Sequence, residues 1–171
     1  MTAKELFNST EDVYLSLIHP EIHPLLDSED FISLLRIADT ASENTVKELT
    51  ISNDWRERII GLAIAARARL WNLGKTVSES LRDPRGIAIV PAGAFLITCG
   101  RVGKIPLEEL LPLSYDPDVF DGEVAFALDC VRRSLSAERA SVPSESGPNY
   151  GQNIQVYTKL YVMLPAIGDL D

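Results

Sequence analysis

The chain has 171 residues, 46% of them hydrophobic and 24% charged, with a net charge of −9. Those proportions exclude wholesale disorder and allow a single helical domain over 1–171 with a core that needs no disulfide staple. The acidic balance disfavours nucleic acid, whose phosphates require a basic footprint. The cysteines, Cys99 and Cys130, each in an apolar run, read as buried free thiols of a reducing, cytoplasmic compartment.

The opening segment MTAKELFNSTEDVY carries acids and no apolar core of the signal-peptide kind. Residues 10–18 predict a short helix, with Thr10 as its cap and acids in its first turn. His19-Pro20 ends it, and Pro24 keeps the next stretch irregular or restarts a turn there. Ser28 with Asp30 caps a second helix whose Phe31, Leu34, Leu35 and Ala38 recur at the spacing of one buried stripe. A third covers about 42–51, with Ser42 as cap, Thr45 at the fourth position and apolar Val46 and Leu49.

Residues 54–71 are the strongest helix prediction, capped by Asn53 and free of proline. Projected at 100° per residue, Trp55, Ile59, Leu62, Ala66 and their neighbours fill one wide apolar arc. Arg58 and Arg69 fall opposite it, whereas Arg56 and Arg67 fall within it and must snorkel or find carboxylates. A capping box of Thr76 and Glu79 predicts a short helix over 76–83.

The run GIAIVPAGAFLITCG is apolar nearly all round, as suits a central helix. Pro91 and the β-branched residues leave an α+β alternative open, with a hairpin at about 86–98. Pro106 opens a short helix, PLEELLPL. Asp121 caps another running to about Leu135, along the stripe Val124, Leu128, Val131 and Leu135. Residues 136–151 form a polar Ser/Pro/Gly-rich surface loop, expected to be flexible, before a last helix at about 152–164.

No segment carries a catalytic or cofactor motif, so no catalytic residue, metal or cofactor is assigned. His19 and His23 have metal-ligand spacing, but each precedes a proline that disfavours the helix such a pair needs. Asp116 and Asp118 fit the first two positions of a calcium loop. Phe120, Asp121 and Ala127 then stand where an acid, a glycine and a glutamate are required. The longest apolar run, 86–99, is too short to span a bilayer.

Three stretches repeat one plan of short segment, Asp-bearing turn and longer apolar segment, spaced 29 residues from Asp54 to Asp83 and 33 from Asp83 to Asp116. The first, LTISNDWRERIIGLAIAA, resembles the inter-helix turn and second helix of a HEAT-like repeat, with Asp54 and Arg58 at the family's Asp and Arg positions. The second matches loosely through Asp83 and Arg85, and departs at Pro91 and Gly93. The third matches through Asp118, with Gly122 and Glu123 where the arginine would lie. The resemblance covers about 45–135. It implies an all-α fold, a short α-solenoid or irregular helical bundle whose concave face binds another macromolecule.

Charge is unevenly laid over this plan. Residues 1–30 hold seven acids and one base, 54–104 hold four acids and nine bases, and 105–131 hold seven acids and no base. An acidic surface steers a basic partner. The leading expectation is therefore a non-enzymatic protein–protein interaction module, an acidic helical binder of the inhibitor or immunity-type antitoxin kind. Its candidate partner-binding residues are Arg56, Arg67, Trp71, Asp116, Asp118, Asp121 and Glu123. One alternative is a HEAT-like DNA base glycosylase using Trp55, Trp71, Arg56 and Arg67 in a basic cleft. Another is a structural subunit of an oligomer.

Overall fold

A computed structural model describes residues 1–10, 12–18, 22–81, 88–111, 122–136 and 150–167. The fold is all-α, with no strand among the described residues. In chain order the helices are α1 (Ala3–Thr10), α2 (Val13–Ile18), α3 (Ile22–Leu26), α4 (Glu29–Ala38), α5 (Glu43–Thr50), α6 (Trp55–Arg67) and α7 (Gly74–Ser80). There follow α8 (Ile89–Arg101), α9 (Leu107–Leu110), α10 (Gly122–Leu135) and α11 (Tyr150–Met163). Short 3₁₀ turns at Trp71–Leu73 and Leu164–Ala166 precede α7 and follow α11.

Helices α4 and α5 form as their sequences predict. The Ser28 hydroxyl accepts from the Phe31 N–H and that of Ser42 from the Thr45 N–H, each satisfying a donor the first turn leaves open. The stripe Phe31, Leu34, Leu35 and Ala38 is buried, as are Val46 and Leu49. The N-terminal helix prediction needs correction. Thr10 ends α1, where its hydroxyl donates back to the Leu6 and Phe7 carbonyls, and so does not cap α2. Leu6 and Phe7 are core residues that anchor this extra helix.

The hairpin alternative at 86–98 gives way to helix over its described part, because Ile89–Arg101 is one continuous α-helix. Pro91 is its third residue. Its missing N–H is therefore one of those that would have no intrahelical acceptor anyway, which removes the expected penalty. From Ile89 to Cys99 every residue of α8 is buried, and the helix packs against α11, α10, α7 and α6. Helix α8 is the centre of the core.

Three further boundaries shift. Helix α7 begins at Gly74, directly from the 3₁₀ turn, so Thr76 lies inside it and the predicted capping box does not form. Pro106 is the N-cap of α9, not its first helical residue. Helix α11 starts at Tyr150, and its Ile154, Tyr157 and Tyr161 are buried as the stripe predicts. Most of the expected 136–151 loop lies outside the described residues. Cys99 and Cys130 are buried and free.

Helix α6 lies across α5 so closely that a Cβ on Gly61 would stand 2.6 Å from the Leu49 Cβ and 2.7 Å from the Thr50 N. It is buried continuously from Arg58 to Ala66. It stops at Arg67, short of the predicted residue 71. The Leu70 N–H bonds to the Ala65 carbonyl and the Arg69 N–H to that of Ala66, with Arg69 at φ 57°. This is the Schellman arrangement, with arginine where glycine is usual. No helix among the described residues is long and apolar enough to cross a membrane.

Candidate functional site

Arg56 and Arg67 stand at opposite ends of α6, roughly 16 Å apart along its axis at the rise of an α-helix. The N-terminal end is built by a short polar relay. Asp54, and not the expected Asn53, is the cap: its Oδ1 accepts from the Arg56 N–H at 2.9 Å. The Asp54 N–H donates to the Ser52 hydroxyl, which in turn donates to the Glu57 carboxylate. The turn is thus braced before the helix begins.

Upon this turn sits a surface cluster. The Tyr14 ring, from α2, meets Trp55 edge to face, with centroids 5.6 Å apart and planes at 82°. The Arg56 guanidinium lies 5.0 Å from the Trp55 ring centroid and 5.5 Å from that of Tyr14. All three side chains are half-buried, and Arg56 is 42% exposed. Among the described residues its one ion-pair partner is Asp54, at 3.7 Å, and its Nε is buried with no hydrogen-bond acceptor. Leu15, beside Tyr14, is the most exposed large hydrophobic side chain among the described residues, at 62%.

The C-terminal end is different in kind. Arg67, 9% exposed, grips Asp39 with two parallel bonds of 2.9 and 3.0 Å. Its Nη1 donates to the Leu164 carbonyl at 3.0 Å and to that of Ile167. Arg69 adds a bond to the Pro165 carbonyl. Together these tie α6, the α4–α5 turn and the end of α11. Arg67 found the carboxylate that its place on the apolar arc demanded.

Of the remaining candidates, Trp71 is the one whose side chain is described, and it does not join Arg56. Trp71 packs on Phe95, with ring centroids 5.9 Å apart, and against Gly103, where a Cβ would come within 2.5 Å of its own. Asp116, Asp118 and Asp121 lie outside the described residues. Glu123 belongs to α10, but its side chain is not among those described.

Arg58 corrects the wheel most sharply. Placed opposite the apolar arc, it is only 3% exposed. Its Nε donates to the Thr50 carbonyl at 3.3 Å and its Nη2 to the Ser80 hydroxyl, linking the end of α5 to α7. It lines a cleft of about 350 Å³ with Ile51, Ser52, Asn53, Thr76, Glu79 and Ser80. A wheel for one helix cannot show that a neighbour covers its far side.

Tyr14 and Leu15 were missed as surface residues. Their cue is that five of the six residues of VYLSLI are apolar, more than so short a helix can bury. Neither cysteine is activated for chemistry. Burial, then Asp129, pushes the Cys130 thiol up to about 11, and burial raises Cys99 further still. Among the described residues no group of three or more His, Cys, Asp or Glu side chains is placed to hold a metal. In comparison with known proteins, no family model, no curated protein and no solved structure matches the chain.

Proposed function

We propose that this chain is a non-enzymatic protein–protein interaction module, an acidic HEAT-like helical protein that docks a protein partner in the cytoplasm, in the manner of an inhibitor or immunity-type antitoxin. The observation that carries this reading is the surface cluster of Tyr14, Trp55 and Arg56 beside exposed Leu15. Tyrosine, tryptophan and arginine are the residue types that dominate binding energy at interfaces, and a pre-stacked set loses little freedom on docking. Nothing in the geometry gathers the four residues of the glycosylase alternative: Arg67 is spent on Asp39 and Trp71 on Phe95.

The test uses wild type and a Leu15→Asn/Trp55→Leu variant as paired baits in lysate of the native cell, with circular dichroism to check that both are folded. At least one protein should be retained by wild type and depleted about tenfold by the variant, as befits loss of a hot spot. Identical retained sets from two folded baits would sink the reading.

A further inference from the structure

We infer that Arg56 is a placeholder: its guanidinium occupies a cation seat on Tyr14 and Trp55 that a lysine or arginine of a basic, leucine-bearing partner segment takes on docking. The inference rests on the binding reading above and names the chemistry of its partner.

The seat itself is visible. Two aromatic faces already hold one cation, at 5.0 and 5.5 Å from their centroids, which is the geometry in which ring quadrupoles attract positive charge. The present occupant is weakly held. Among the described residues its one ion pair, to Asp54, spans 3.7 Å, and its buried Nε has no acceptor. Swinging off the rings would cost Arg56 little and would bring that N–H to water.

The sign of the incoming group follows from what surrounds the seat. Asp12 precedes α2, Asp54 caps α6, and Glu57 lies in its first turn; within 12–18 and 54–57 Arg56 is the sole base, and the next arginine of α6, Arg58, is buried against Thr50 and Ser80. An approaching polyanion meets three carboxylates for one guanidinium, whereas a cation is drawn in by them. The first 30 residues, with seven acids and one base, extend the same field. Exposed Leu15 adds an apolar contact beside the seat, so the complementary segment carries both a cation and an aliphatic side chain.

The probes are three dye-labelled nonapeptides, alternating Lys/Leu, Glu/Leu and Lys/Ser, titrated with the full chain and read by anisotropy. The Lys/Leu peptide should bind best, and its affinity should fall steeply with added salt. Arg56→Gln, which empties the seat, should tighten it about threefold, and Trp55→Leu should weaken it at least as much. Neutralising the rim with Asp12→Asn, Asp54→Asn and Glu57→Gln should weaken it about tenfold. The control Glu108→Gln/Glu109→Gln on α9 should change it less than twofold.

Weaker or unchanged binding with Arg56→Gln overturns the placeholder, as does equal binding of the Glu/Leu peptide, equal loss in the α9 control, or no binding at all. Should the lysate experiment still give a partner that depends on Leu15 and Trp55, the binding reading survives and only the partner's chemistry is wrong. If both experiments fail, the two fall together.

Discussion

At its C-terminal end α6 presents Arg67 to three oxygen-bearing groups; at its N-terminal end it presents Arg56 to two aromatic rings. Both arginines project onto one apolar arc, yet one is locked and the other loosely held. The difference lies in what each helix end offers. A helix C-terminus leaves carbonyls open and favours a cation, and here the end of α11 adds the Leu164 and Ile167 carbonyls. A helix N-terminus leaves N–H groups open, and its capping acid is already spent on them, as Asp54 is on the Arg56 N–H. A guanidinium placed there finds few acceptors and turns to π faces. One end is thereby made structural and the other left available.

The two ends are fixed sites only while α6 holds its place on α5, and Gly61 is where that can be broken. The atoms nearest a new Cβ include the Leu49 carbonyl carbon at 2.8 Å and the Thr50 N at 2.7 Å, backbone that cannot swing aside. Gly61→Ala should therefore destabilise the fold by about 3 kcal/mol, despite alanine's better helix propensity. Urea denaturation checks this through the midpoint. A loss below about 1 kcal/mol would mean that α6 slides on α5, and its ends could then not be contrasted as fixed sites.

Arg67→Met removes the locked end itself. It strips Asp39 of its fork and takes one donor from each of the Leu164 and Ile167 carbonyls, the former keeping the Ile167 N–H, so the expected loss is about 2 kcal/mol. Arg67→Lys should recover less than half of it, since a single ammonium cannot reproduce the planar fork. Full rescue by lysine in the same urea assay would show that charge, and not fork geometry, makes this end rigid.

The amphipathic stripes of α4, α10 and α11 and the caps Ser28 and Ser42 were legible because each depends on one helix's own periodicity and end chemistry. The all-round apolar run of α8 likewise announced its central place. What escaped depends on neighbours. Arg58 looked solvent-facing until α7 covered it, and Thr76 looked like a cap until a 3₁₀ turn brought the helix start two residues forward. Thr10 resembled an N-cap because its hydroxyl can bond forwards or backwards, and the pull of Leu6 and Phe7 into the core settled the direction. Of the three candidate site residues whose side chains are described, Arg56, Arg67 and Trp71, only Arg56 lies in the surface cluster. Its ring partner Tyr14 comes from 42 positions earlier, a pairing no local pattern encodes.

The smallest effect is expected at Arg56, and its smallness is the point. Arg56→Gln gives up a partly exposed cation–π contact worth about 0.5–1 kcal/mol. Against that, it removes a buried Nε that lacks an acceptor and a positive charge at the positive end of the helix dipole. These terms nearly cancel, so the urea midpoint should move by less than about 0.5 kcal/mol in either direction. A loss above about 1 kcal/mol would place Arg56 beside Arg67 as a structural residue, because a side chain the fold depends on is not free to leave its rings for a partner. Near-zero cost is what the loose end requires: the fold then holds the aromatic rings in place without needing the arginine that covers them.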